Sequence, residues 1–348
     1  MLFSGKTSGH FVEINEYSTL VARTSALDAP LVIEKIEEVP GQGLAKVGEL
    51  VDKVAGPRRA GSYRHVVCGV SPEQRFIRRA ALDPKRAKDA SYLEEVLTTQ
   101  FRAEPDKMVL AMLAAGDGSP LELGASAAKD VLFCGGYSAD FSNIQQTLLA
   151  AGIFPERLEL TSVAMLGSML GVLAMNEVKT PTLLLEIGRE ATNCYIVSAS
   201  GVDLARPIPH GINSMIPVAQ KELGLRDEEA AAKLLFSNTF DFTGMAPNLV
   251  KRLLKELQSS IGFFEVQTGQ SIGQLHCVLQ PAGLPWLSAA LAGALGVTQL
   301  QVDSKAWFEK RGIKFAAGVC SDGVPVTWFG LLSLMANNQP SIAPNETK

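Results

Sequence analysis

Two stretches of this chain, 173 residues apart, repeat one local plan. Phe11–Ser25 reads FVEINEYSTLVARTS, and Leu184–Ala199 reads LLEIGREATNCYIVSA. Each is an apolar strand ending in Glu-Ile, a short polar turn, and a second apolar strand, the pattern of a β-hairpin. Glu13 and Glu186 occupy equal places in the two copies, separated by about half of the 348 residues. A long period seen twice argues for a duplicated domain rather than a solenoid. Each half then continues as strand, helix, strand. In the first half these are Val131–Cys134, Asn143–Ala151 and Leu158–Leu160; in the second, Leu275–Leu279, Leu284–Leu295 and Leu300–Val302. Such units are expected to form parallel pairs with right-handed crossovers, giving an α/β fold in two related lobes.

The remaining segments fit around this frame. Glu159–Met175 reads as a helix of small and apolar residues linking the halves. Asn248–Thr268 reads as a helix whose Leu249, Leu253, Leu257, Ile261 and Phe264 recur at three- and four-residue spacing. Val326–Ala336 reads as a last apolar helix returning to the first lobe. Leu44–Pro105 interrupts the first half with strand-like Tyr63–Val70 and Gln74–Ala80 and helix-like Tyr92–Phe101, and reads as an inserted subdomain. The expected organisation is a first lobe over 1–177, with the insert at about 44–105 and completed by a helix at 325–338. A second lobe follows over 178–324, and a disordered tail over 339–348.

Charge is unevenly placed. Ten Lys/Arg face three acidic residues between Asp52 and Lys88, a local +7 that leaves −11 on the rest of a chain of net charge −4. Such a patch attracts an acidic protein tail, anionic headgroups or nucleic acid, or is simply a solvated face. Nucleic acid is disfavoured, because Tyr63 and Phe76 are too few for a stacking platform. The five cysteines are scattered singly with no C-x-x-C pair, which argues for a reducing compartment. No basic and then apolar opening segment is present, so no secretory leader is expected. Leu160–Met175 is uncharged but shorter than the roughly 20 residues of a spanning helix. The four histidines have no metal spacing, and no serine sits in G-x-S-x-G. Gly135-Gly136 suits a tight turn better than an anion cradle. Glu13 and Glu186 are either paired carboxylates for Mg²⁺ or strand ends on solvated turns, and the second reading is preferred.

A hairpin of this kind in each half, with a third turn late in the second, is similar to the superfamily of sugar kinases, chaperones and actin. There the two hairpin turns hold ATP phosphates and metal, and a Gly-rich turn before a helix holds adenosine. Glycine turns serve because nothing blocks the approach of phosphate oxygens to backbone N–H groups. Within that superfamily the chain resembles the PilM family of type IV pilus assembly proteins, from about Phe11 to Asn337. The carriers, in order, are RHVVCGVSPEQRFIRRAAL before an acidic helix, LLAAGIFPERLELTSVAML, LLEIGREATNCYIVSASGVDLARPIPHGINSM and ELGLRDEEAAAKLL. The resemblance implies an actin-like, ribonuclease H-like duplicated fold. It also maps nucleotide positions onto Glu13, Asn15, Glu16, Ser18, Glu186, Gly188, Arg189, Gly211, Pro281 and Gly283.

Several of those positions depart from the family pattern. The first turn of the family reads Asp-Ile-Gly-Ser with a Lys soon after. Here Asn15 replaces the glycine, Glu16 sits where phosphate would approach, and Leu20 replaces the Lys. The second turn keeps Gly188 but has Glu186 for Asp, and the Gly-Gly adenosine turn has become Pro281-Ala282-Gly283. Pro removes one N–H donor, and a carboxylate beside polyphosphate is repulsive. The expectation is an actin-like ATPase fold with eroded motifs, not an enzyme, with no cofactor and no metal; bound ATP and Mg²⁺ are the alternative.

What the resemblance implies about partners is a cytoplasmic scaffold peripheral to the inner membrane. It would bind the cytoplasmic tail of a PilN-like membrane protein, form a homo-oligomeric ring, and meet a PilO-like protein and the assembly motor ATPase indirectly. In the family the tail enters as an extended peptide beside the inserted subdomain. The candidates for holding it here are Val66, Val67, Val70, Arg75, Phe76, Arg78, Arg79 and Leu82. A component like GspL of type II secretion, or an atypical ATP-dependent kinase or chaperone-like ATPase, are the competing readings.

Overall fold

The computed structural model describes residues 8–41, 43–122, 129–237, 239–320 and 323–337; the expected tail at 339–348 lies outside them. The chain opens with β1 (Gly9–Ile14), β2 (Ser18–Thr24), β3 (Leu31–Pro40), α1 (Val47–Ala55) and β4 (Arg64–Val70). Next come β5 (Phe76–Ala81), α2 (Ala90–Glu95), β6 (Met108–Ala114), β7 (Pro120–Leu121) and β8 (Asp130–Tyr137). They are followed by α3 (Ser138–Ala150), β9 (Ile153–Leu160) and α4 (Thr161–Met175). The second half runs β10 (Thr182–Ile187), β11 (Thr192–Ser198), β12 (Gly201–Ile208), α5 (Ile216–Leu223), α6 (Glu228–Ser237), α7 (Ala246–Leu249) and α8 (Lys251–Thr268). It ends with β13 (Gln274–Leu279), α9 (Trp286–Leu295), β14 (Thr298–Gln299), α10 (Ser304–Lys310), β15 (Ile313–Phe315) and α11 (Phe329–Asn337).

Two sheets carry the duplication. One has the order β15-β3-β2-β1-β4-β9 and the other β12-β11-β10-β13-β14. In both, the hairpin strands pair antiparallel and the first of them pairs parallel with a strand far along the chain, β1 with β4 and β10 with β13. Ile14 faces Thr19 at the end of the first hairpin and Ile187 faces Thr192 at the end of the second, so the two turns have equal length. β10 is buried along its whole length, as a central strand covered on both faces must be. The expected parallel pairing of the second half is present between β13 and β14, with the last strand at Thr298–Gln299.

The first half differs from the expected order. β8 does not pair with β9; the parallel neighbour of β9 is β4. β8 instead lies in a separate antiparallel sheet, β5-β8-β6-β7. The stretch 44–105 is therefore not one insert. Its α1 and β4 complete the six-stranded sheet, and the interruption begins only at β5. Gly135 and Gly136 form neither a turn nor a cradle. They lie within β8, where a side chain on Gly135 would strike the Val109 carbonyl of β6.

The chain divides into two compact units. One comprises Met1–Pro72, Ala139–Val172 and Asp303–Lys348, the other Glu73–Ser138 and Leu173–Val302. In the first, α1 and α3 cover one face of the six-stranded sheet through Val47, Val51 and Leu148, which pack with Val12, Val66 and Val70. Helix α11 is buried from Phe329 to Ala336, as a helix apolar on all sides must be. In the second unit, Leu253, Leu257 and Phe264 of α8 join the core of the five-stranded sheet at helical spacing. Among the described residues no helix is long and apolar enough to cross a membrane. Cys68, Cys134, Cys194 and Cys277 are buried free thiols, and burial pushes each up to about 12, so they act as small hydrophobes.

Two helical glycines give opposite expectations. A Cβ on Gly330 of α11 would run into the Glu13 carboxylate, whereas one on Gly262 of α8 meets nothing. Gly262→Ala is expected to stabilise by about 0.5–1 kcal/mol through helix propensity. Gly330→Ala is expected to destabilise by about 1–3 kcal/mol, because overpacking exceeds that gain. Urea unfolding of the two variants checks the signs; a gain at Gly330 would mean that α11 does not press on Glu13.

Candidate functional site

The family resemblance maps nucleotide positions onto the two hairpin turns and the turn after β13, and each of these lies within one unit. In the first, Asn15 organises the chain. Its side-chain oxygen accepts from the amides of Tyr17 and Ser18, both at 2.9 Å, and its own amide donates to the Ser18 carbonyl at 3.1 Å. Its Nδ2 donates to Glu13 at 3.3 Å. An asparagine bonding the amides that follow it is a common local turn device. Here it gives two amides that could face an anion an acceptor from the chain itself. Glu13, Asn15, Glu16 and Ser18 are all buried. The preferred expectation that Glu13 ends on a solvated turn is thus incorrect, since α11 covers it at Gly330.

The second turn is held from outside. The Gly188 amide donates to Ala191 at 2.9 Å, closing the turn. The carbonyls of Gly188 and Arg189 then accept from Ile212 and Asn213 at 3.0 and 2.9 Å. Gly211 allows this approach, because a Cβ there would collide with both carbonyls. The Arg189 guanidinium lies 4.9 Å over the Phe236 ring. Glu186, also expected on a solvated turn, is 0 % exposed.

Glu186 anchors a buried polar cluster. Its Oε2 accepts from Arg75 Nε at 3.1 Å and from the Tyr195 hydroxyl at 3.0 Å, and Arg75 Nη2 is also 3.1 Å away. With its amide turned oxygen-first, Asn193 accepts from Arg75 at 3.0 and 3.1 Å. That orientation is preferred over the reverse, which offers only a 3.5 Å bond to Glu186. Burial, then the neighbouring Glu186 carboxylate, lift Tyr195 well above the usual phenol range, so it remains a donor. Glu186 and Arg75 are 111 residues apart, and no spacing in the sequence pairs them. Tyr195 and Asn193 were findable, since alternate residues on the strand facing Glu186 share its side of the sheet.

In the third turn the Pro281 carbonyl accepts from Leu284 at 3.0 Å, and Gln280 Oε1 accepts from Ser288 at 2.8 Å. Pro281 is buried and Gly283 is half-buried. The partner-binding candidates separate into two kinds. Val66, Val67 and Val70 are buried in β4, and Phe76 and Leu82 in the core of the four-stranded sheet. Arg75 is committed to Glu186, and Arg79 donates to Asp130 at 2.7 Å. Among the described residues no cluster of three His, Cys, Asp or Glu could hold a metal.

The Asn15 turn makes a checkable demand. Asn15→Ala is expected to lower the unfolding free energy by about 1–3 kcal/mol, because two amides lose a buried acceptor. Urea denaturation measures it, and an unchanged midpoint would show that water replaces the side chain.

The chain matches no protein-family model and no curated protein. Among solved structures it is similar to a chain of a PilM-PilN type IV pilus biogenesis complex, with TM-score 0.67 and 16% identity, covering 96% of this chain and 97% of that one. A protein of unknown function with an actin-like ATPase fold from Bacteroides thetaiotaomicron gives TM-score 0.45 and 7% identity, covering 86% and 93%. The ethanolamine utilization protein EutJ from Carboxydothermus hydrogenoformans gives TM-score 0.45 and 10% identity, covering 94% and 90%. The last two are too distant to carry weight. The duplicated sheets and the first likeness establish that this chain has the fold of that PilM-PilN complex chain.

Proposed function

We propose that this chain is a non-catalytic scaffold of a type IV pilus assembly complex. It works on the cytoplasmic side of the inner membrane and is recruited by the tail of a PilN-like membrane protein. The fold likeness to a chain of a PilM-PilN complex supports the assembly context. The observation that carries the non-catalytic reading is the pairing of Glu186 with Arg75. A carboxylate serving a nucleotide-bound Mg²⁺ must be turned toward the metal. Glu186 instead has a buried guanidinium and a phenol as partners. A dication on the same carboxylate would put two further positive charges beside the buried Arg75 guanidinium, which is repulsive. Asn15 supports the same reading, since its side chain takes the amides of Tyr17 and Ser18. In this reading a homo-oligomeric ring, a PilO-like protein and a motor ATPase complete the assembly.

Calorimetry with Mg-ATP is expected to show no binding tighter than about 100 µM, a free energy of roughly −5.5 kcal/mol. A low-micromolar dissociation constant would overturn the non-catalytic assignment. A synthetic tail peptide of the PilN-like protein is expected to raise the melting temperature of the intact protein, as any ligand selective for the native state does. Removing residues 44–105 is unsuitable as a test, because it takes β4 from between β1 and β9.

A further inference from the structure

Helix α8 buries one face and carries apolar groups on the other. Leu253, Leu257, Ser260 and Phe264 turn inward. On the outer side Arg252, Lys255, Ser259, Gly262 and Val266 recur at alternating three- and four-residue steps, with Phe263 beside them. Phe263 is 59 % exposed and Val266 87 %, and among the described residues no other two large exposed hydrophobics lie on one helix. A Cβ on Gly262 would meet nothing, so a neighbouring backbone can approach closely there. Beside Phe263, α8 and β12 border a cleft of about 420 Å³, lined in part by Leu204, Ala205, Ser259 and Gln267. Arg206 is fixed in its wall by Ser260 at 2.8 Å and Glu256 at 2.7 Å. An aromatic knob and a hole wide enough for a ring therefore lie side by side on one surface of the second unit. The charges of the helix are graded along it. Lys251, Arg252 and Lys255 at its start are exposed and have no ion-pair partner among the described residues. Glu265 lies in its last turn, and Asp203 of β12 lines the cleft. The helix dipole adds to the same gradient.

We propose that this face of α8 is where a second copy of this chain docks, the two helices lying antiparallel and each Phe263 entering the cleft of the other copy. Two observations select a second copy as the occupant. A surface that holds both knob and hole is complementary to itself, which a two-fold contact requires. The charge gradient is self-complementary in the same sense, because antiparallel copies set the basic end of each helix against the acidic end of the other. A lipid surface fits less well, since the cations stand at one end of the helix and the apolar side chains at the other. The contact is a weak one. Eighteen residues make a helix about 27 Å long, and one such face falls at or below the roughly 800 Å² per partner of a stable complex. The pairing goes beyond the scaffold reading and does not depend on it, because a two-fold contact closes as a pair whereas a ring needs a head-to-tail one.

Sedimentation velocity on the full chain, between about 1 and 200 µM, tests the proposal. Wild type is expected to pair with a dissociation constant on the order of tens of micromolar, weakened about fivefold in roughly 0.5 M NaCl. Phe263→Glu and Val266→Glu are each expected to stay monomeric throughout. Both positions face water in the single copy, so their melting temperatures at about 1 µM should match wild type within about 2 °C. Two double variants test the antiparallel arrangement. Arg252→Glu with Lys255→Glu, and Asp203→Lys with Glu265→Lys, should each be monomeric alone and should pair when mixed, because only the mixed pair sets opposite charges together at both ends. Wild type that is monomeric at about 200 µM, pairing that survives both Phe263→Glu and Val266→Glu, or a mixture that stays monomeric would each overturn the proposal. So would a monomeric wild type that binds phosphatidylglycerol vesicles through Phe263, which would assign the face to a lipid surface. No pairing, with a PilN-like tail peptide that still raises the melting temperature, would sink the α8 contact and leave the scaffold reading standing.

Discussion

A guanidinium and a carboxylate that share almost no water set the terms for the second unit. Arg75 and Glu186 have side-chain exposures of 2 % and 0 %. Desolvating each ion costs several kcal/mol, and attraction offsets this only when the remaining donors and acceptors are also satisfied. Tyr195 and Asn193 contribute those further bonds. The pair therefore specifies more than it stabilises. It requires the residue just before β5 to meet the end of β10, and so fixes where the inserted sheet joins the five-stranded one. The Ala115 carbonyl, accepting from Val202 at 2.8 Å, ties a second point of the insert to β12.

The same pair separates two uses of one frame. Both hairpins end in a buried glutamate, but the burials differ. Glu13 has Asn15 beside it and Gly330 of α11 pressed close. Glu186 has a full counter-ion. In each case one carboxylate oxygen is held by polar groups of the chain, Asn15 at Glu13 and Arg75 with Tyr195 at Glu186. Of the nearby arginines, Arg75 and Arg79 pair with carboxylates, and Arg78 stacks on the Phe76 ring.

The duplication was legible because it is local. Glu-Ile, a four-residue turn and an apolar strand recur with equal spacing, and the hairpins form as written. The insert was misjudged because β4 and β5 are short strands separated by only a few residues, which reads as one subdomain. Their destinations are set by packing: β4 is almost wholly apolar and goes between β1 and β9, while β5, carrying Arg78 and Arg79, goes to an edge. β8 followed by α3 likewise resembled a parallel unit, yet β8 pairs antiparallel on both sides. The glutamates were read as solvated because a charge at a strand end usually is. Their burial depends on contacts with Arg75 and Gly330, too distant in sequence for any spacing rule to show.

The commitment of Glu186 to Arg75 is tested most directly by a double-mutant cycle in urea. Glu186→Leu and Arg75→Met alone should each cost about 3–5 kcal/mol, because each leaves one charge buried without its partner. Combined in one chain they should cost less than either, with a coupling of about 3 kcal/mol or more. Additive losses would contradict the pairing, and with it the reason for regarding this carboxylate as closed to a metal.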